Sequence, residues 1–167
     1  ATRRSLLGEV GDLLASFVAA DVQTLAFTKS RKAAEVIALN AADRLGADHP
    51  HHQRVAAYRG GYLPEERREL ERRLRDGDLL GLVATNALEL GIDVSGIDTV
   101  LLAGWPGTFA SFHQRLGRAG RSGMQAAGVL VAGDDPLDQY LVTHPAELLG
   151  RPSEDAIVDA TNPYLLG

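Results

Sequence analysis

Arg115, Arg118 and Arg121 recur at every third position of Gln114-Arg115-Leu116-Gly117-Arg118-Ala119-Gly120-Arg121, with two glycines set between them. Guanidinium groups are planar, permanently charged forks that match phosphate oxygens, and a neighbouring glycine removes the side chain that would keep a ligand or facing surface away. On a helix, steps of three residues drift by only about 60° around the axis, so the three groups would spread along one side. The chemistry on offer is neutralisation of a phosphate-rich ligand. The same octapeptide also reads as an exposed basic helix end, whose ion pairs would contribute roughly 0–1 kcal/mol each. Taken alone, it leaves both readings open.

Two further groups offer compatible chemistry. Thr85 and Asn86 follow the apolar run Leu80–Ala84, and a hydroxyl with free backbone N–H groups at a strand-to-helix junction suits a phosphate. Asp93, after Gly91, can accept from a ribose hydroxyl or pair with an arginine. A helix N-cap and a turn aspartate would account for the same residues. Thr28, Ser30 and Arg31 follow the apolar run Thr24–Phe27 in the same way.

These residues need elements to hold them. Apolar side chains at Leu6, Leu7, Val10, Leu13, Leu14, Phe17 and Val18 predict a helix from Leu6 to Ala20. Short apolar runs at Thr24–Phe27, Val55–Tyr58, Leu80–Ala84, Thr99–Ala103 and Gly128–Ala132 predict five strands. Between them fall a helix from Thr28-Lys29-Ser30 to Leu45, a charged helix opened by Pro64 and ending at Asp76, and a short helix closed by Gly91. A helix after Gly107 would carry the arginines, and Asp134-Asp135-Pro136 opens another. Gly46–Gln53 reads as a polar loop and Arg59-Gly60-Gly61 as a turn. Continuous apolar strands alternating with helices predict an α/β domain, a mainly parallel sheet covered on both faces. Ligands of such sheets sit beyond the carboxyl ends of the strands, where the polar groups after Phe27, Tyr58, Ala84 and Ala103 fall.

Composition narrows the setting. A chain of 167 residues that is 45% hydrophobic can bury one ordinary core. A net charge of -5 argues against nucleic-acid binding through a general basic field, so any such contact is expected to be local. With no cysteine there is no disulfide or thiolate metal site in the chain, which fits a reducing cytoplasm. No apolar run approaches the length of a membrane span. The opening Ala1-Thr2-Arg3 and the closing Asn162–Gly167 predict a piece of a longer protein: a lobe over residues 1–150, then a tail over 151–167 leading towards a following domain.

Taken together, Ala84–Val94 and Gln114–Arg121 resemble motifs five and six of the superfamily-two helicases of DEAD/DEAH-box type, in the second of their two RecA-like lobes. Phe27–Arg31 resembles motif four, and Tyr58–Arg67 is similar to the family's glycine turn before a basic helix. The stretches Ala84–Val94, Gly104–Gly107, Pro136–Tyr140 and Asn162–Tyr164 look most like the bacterial RecQ-like DNA helicases of the SftH and YprA type. The resemblance implies that Arg118 and Arg121 are arginine fingers reaching the γ-phosphate of ATP on the other lobe. It implies that Gln114, Gly91 and Asp93 lie on the nucleotide side. Thr28, Ser30, Arg31, Gly61, Thr85 and Asn86 would line the nucleic-acid backbone path, and Arg115 would make a structural ion pair. It further implies ATP with Mg²⁺ held mainly by an N-terminal lobe of the same polypeptide, single-stranded or duplex DNA as partner, and a cytoplasmic, nucleoid-associated place of work.

The chain contains no glycine-rich loop ending in Gly-Lys-Ser/Thr, since Thr28-Lys29-Ser30 follows Leu25-Ala26-Phe27. It also lacks the acidic pair that orients Mg²⁺ and water in such motors. Alone, it is predicted not to hydrolyse ATP. The rival readings are a non-catalytic nucleic-acid-binding or interaction module and an RNA-directed helicase lobe. Other conspicuous residues have plain explanations. His49, His51 and His52 lack a ligand cluster and are expected to be solvated. Trp105 is expected in the core or at its edge. The arginines at 67, 68, 72, 73 and 75 alternate with glutamates as a salt-bridged helix face. Asp134, Asp135 and Asp138 lack a calcium-loop pattern.

Overall fold

The computed structural model of the protein describes residues 5–58, 63–85, 96–120 and 127–149. The tail expected over 151–167 lies outside them, as do the turn expected at Arg59-Gly60-Gly61 and the short helix closed by Gly91.

The elements are α1 (Leu6–Ala19), β1 (Thr24–Phe27), α2 (Arg31–Leu45), β2 (Val55–Ala57), α3 (Pro64–Arg75), β3 (Gly81–Ala84), β4 (Thr99–Ala103), α4 (Phe109–Leu116), β5 (Ala127–Val131), α5 (Pro136–Thr143) and α6 (Pro145–Leu149). The strands form one sheet in the order β2-β3-β1-β4-β5, with every pairing parallel. This is the α/β architecture that the apolar runs predict. Helix α6 has no counterpart among the expected elements; it is one short turn set off from α5 by Pro145.

Side chains alternate along each strand into two cores. Leu25, Phe27, Leu82, Val100, Leu102 and Leu130 face one side with Leu70 and Leu74 of α3, Phe112 and Leu116 of α4, and Leu141 and Val142 of α5. Ala26, Val83, Leu101, Val129 and Val131 face the other with α1 and α2. Burying each such Leu, Val or Phe stabilises by roughly 1.5–3 kcal/mol, so both faces must be covered. Two glycines allow close approach. A Cβ on Gly11 would lie 2.8 Å from Asn40 Cβ, so α1 can lie against α2 only with glycine there. A Cβ on Gly128 would lie 2.4 Å from Leu116 Cδ2, so the end of α4 sits directly over β5.

Local chemistry sets the helix starts. Ser5, Ser30, Thr108 and Asp135 cap α1, α2, α4 and α5, each side-chain oxygen accepting a backbone N–H of the first turn. Pro64 and Pro136 occupy first-turn positions, where the missing N–H costs nothing.

Two expectations need correction. The arginine run is not one helix: α4 ends at Leu116, Gly117 is its C-cap, and Arg118 lies in the turn that follows. The reason is a contact distant in sequence, described below. The histidines are not simply solvated either, since all three are partly buried. His51 Nε2 lies 2.5 Å from Asp21 Oδ1, and its Nδ1 lies 2.9 Å from an Arg54 guanidinium nitrogen. An arginine can only donate, so His51 Nδ1 accepts and Nε2 carries the proton to Asp21. Nδ1 of His49 accepts the His51 N–H at 3.0 Å, and His52 Nδ1 donates to the Ala42 carbonyl at 3.0 Å. The expected salt-bridged face of α3 is seen at its centre. Arg72 does bridge Glu69 and Asp76. Arg67 also donates to the Tyr58 hydroxyl at 2.5 Å, with its guanidinium 5.8 Å from the ring centre.

Candidate nucleotide and nucleic-acid interface

Because all five strands are parallel, their carboxyl ends share one edge. Phe27 pairs with Ala84, so Thr28 and Thr85 leave adjacent strands side by side. The Thr28 N–H donates to the Ala84 carbonyl at 3.0 Å, which fuses the two exits. Thr28 is only 3% exposed and has little side-chain surface to offer. Ser30 and Arg31 are exposed beyond it. The Ser30 hydroxyl accepts the Ala33 N–H at 3.0 Å, which leaves its own proton free for an acceptor in front of α2. Thr85 is half-buried. Gly61, Asn86, Gly91, Asp93 and Arg121 lie outside the described residues.

The arginine segment is held at the other edge. The Ile97 N–H donates to the Arg118 carbonyl at 3.1 Å, and the Gly120 N–H donates back to the Ile97 carbonyl at 2.7 Å. This parallel bridge pairs Ile97 with Ala119 just ahead of β4, at the sheet edge opposite Thr28 and Thr85. It captures the chain after Leu116 and requires Gly120 at φ +86°, a conformation open mainly to glycine. Gln114 is exposed on α4, four residues before the half-buried Arg118, so a ligand can approach both from outside.

Arg115 departs from expectation most clearly. No carboxylate pairs with it among the described residues. Its guanidinium instead donates to the Thr85 carbonyl at 3.1 Å and lies 5.3 Å from the centre of the Phe27 ring. Its Nε is buried with no partner there. Burial alone pulls its pKa below the ordinary arginine value, since desolvation disfavours the charged form.

Asp138 is a residue that sequence reasoning passed over. It is 3% exposed and accepts two backbone N–H groups, from Trp105 at 3.1 Å and Gly133 at 3.1 Å. It therefore joins α5 to the chain leaving β4 and β5. Trp105, as expected, belongs to the core: it is 5% exposed, with its ring centre 5.3 Å from that of Phe112. No local signal marks Asp138, whose partner at Trp105 is 33 residues away.

The all-parallel five-stranded sheet in the order β2-β3-β1-β4-β5, with helices on both faces, is the architecture of a RecA-like lobe. Residues 8–123 match the family described as "Helicase conserved C-terminal domain", and the chain belongs to that family. It is 43% identical over 164 residues to the uncharacterized ATP-dependent helicase YprA of Bacillus subtilis (strain 168), covering 98% of this chain and 22% of that protein. It is 36% identical over 171 residues to the ATP-dependent helicase HRQ1 of Saccharomyces cerevisiae, covering 98% of this chain and 16% of that one. Among solved structures, the DUF1998 helicase MrfA bound to DNA and AMPPNP superposes with a TM-score of 0.81 at 41% identity, over 99% of this chain and 23% of that one. The chain thus spans about a fifth of the length of the relatives it resembles. Among the described residues, no helix is long and apolar enough to cross a membrane.

Proposed function

We propose that this chain is the second motor lobe of an ATP-dependent DNA helicase or translocase. One observation carries the reading: the turn that bears Arg118 is locked beside Ile97, outside α4 and away from the strand-end hydroxyls. A residue that must reach across a cleft to a phosphate needs such a fixed base, whereas an exposed basic helix end needs none. Arg118 and Arg121 are the arginine fingers in this reading, and Gln114, Gly91 and Asp93 complete the nucleotide side. Such fingers are worth roughly 10³–10⁵ in phosphoryl-transfer rate, far above a surface ion pair.

ATP and its Mg²⁺ are held mainly by an N-terminal RecA-like lobe of the same polypeptide, because the described residues supply a finger base and no phosphate cradle. Nucleotide binding closes the two lobes, the fingers neutralise charge on the transferred phosphoryl group, and opening after hydrolysis shifts one lobe along the strand. The nucleic-acid path runs over the carboxyl edge, by Thr28, Ser30, Arg31, Gly61, Thr85 and Asn86. DNA as the track is supported by the DNA-bound MrfA structure and by the preference of the sequence for that group of relatives.

The experiment is ATP turnover by the full-length protein with single-stranded DNA, RNA or unfolded polypeptide, beside turnover by the 167-residue chain alone. Single-stranded DNA is expected to stimulate most, and the isolated lobe to be inactive. Stronger stimulation by RNA would place the lobe in an RNA helicase. Absence of any nucleic-acid-dependent turnover would favour a binding module.

A further inference from the structure

Arg115 carries a charge for which the fold supplies no described counter-charge. Its side chain is partly buried, its Nε–H meets no partner among the described residues, and its contacts are one carbonyl and one aromatic face. Holding a guanidinium in such a place is costly, and an apolar residue of similar volume would pack there more favourably. The contacts it does make show what the charge is for. Phe27 is the last residue of β1 and leads into Thr28–Arg31. The Thr85 carbonyl belongs to the peptide that leads out of β3 towards Asn86. Arg115 itself stands three residues before Arg118, in the last turn of α4. One side chain therefore spans from the finger segment, anchored at the opposite edge by Ile97, to two neighbouring strand exits.

We propose that Arg115 is a positioning residue that couples the arginine-finger turn to the nucleic-acid edge of the lobe. Its planar fork grips the Thr85 carbonyl and its face rests on Phe27. A displacement of α4 when nucleotide engages Arg118 then moves the strand exits, and a strand of nucleic acid seated on those exits biases α4 in return. This inference rests on the motor-lobe reading, with Arg118 as a finger and Thr85 on the nucleic-acid side.

The test uses the full-length protein with Arg115→Met, which keeps apolar bulk, and Arg115→Lys, which keeps charge but loses the fork. ATP turnover is measured without nucleic acid and with saturating single-stranded DNA, together with KM for ATP and the thermal midpoint. Coupling free energies between sites commonly correspond to about 5–150-fold. The expected result is unstimulated turnover and KM within about twofold of the parent, with the stimulation ratio reduced by about tenfold in Arg115→Met and by less in Arg115→Lys. Equal loss of stimulated and unstimulated turnover would mean that Arg115 merely supports the fold or the fingers, and unchanged stimulation would mean that it couples nothing. If Arg115→Met does not fold, Arg115→Lys decides by the same ratio. A parent protein with no DNA-stimulated turnover would instead overturn the motor-lobe reading, so the two failures are distinguishable.

Discussion

Gly120 donates its N–H to the carbonyl of Ile97 at 2.7 Å, and that bond ties the arginine turn to the residue just ahead of β4. The Ile97 N–H returns a bond to the Arg118 carbonyl at 3.1 Å. Two bonds to one residue fix both the position and the direction of the backbone between Arg118 and Gly120. The second glycine of the arginine run therefore serves the bridge as much as it serves access.

Gly120→Ala is expected to disturb this turn. A Cβ at φ +86° costs roughly 1–2 kcal/mol in the left-handed region, and relaxing that strain pulls on the bond to Ile97. Denaturation of the 167-residue chain, followed through the emission of Trp105, its single tryptophan, should show a loss of that size. Stability equal to the parent would mean that the turn is not held as described.

Asp138→Ala should be more damaging. It strips the Trp105 and Gly133 N–H groups of their acceptor in a buried setting, and each orphaned donor costs about 1–3 kcal/mol. Because Trp105 itself loses an anchor, its emission in the native baseline should shift to the red. Asp138→Asn keeps one acceptor oxygen and should lose less. A loss below about 1 kcal/mol for the alanine variant would contradict the assigned role.

At Gly11, alanine would bring its methyl within 2.8 Å of Asn40 Cβ and 3.4 Å of the Ile37 carbonyl. Helices α1 and α2 would have to separate, at about 1–3 kcal/mol for overpacking. Combining Gly11→Ala with Asn40→Gly should recover part of the loss if this contact is its cause. The double variant's denaturation midpoint checks it.

Much of the fold was legible because it is local. The apolar runs Thr24–Phe27 and Thr99–Ala103 match β1 and β4 residue for residue, since a buried parallel strand has no polar face to blur its ends. Caps at Ser30 and Asp135 and the proline at 64 likewise announce their helices. The misses are contacts between residues far apart in sequence. Nothing near Leu116 says that Ile97 will capture the next turn, so the arginines read as one helix. Nothing near His51 says that Asp21 and Arg54 will meet its ring. The resemblance implied a structural ion pair for Arg115, and among the described residues its surroundings are a carbonyl and an aromatic face instead. Of the candidate site, the structure brings Thr28 and Thr85 together at one edge and sets Arg118 at the other.

The central claim is that Arg118 acts on a phosphate held by another lobe. The most direct measurement is DNA-stimulated ATP turnover of full-length Arg118→Ala, with Arg118→Lys as the variant that keeps the charge. The account predicts a fall of about 10³-fold or more in turnover for alanine, and little recovery with lysine, which lacks the planar fork. Near-parental turnover in Arg118→Ala would contradict it.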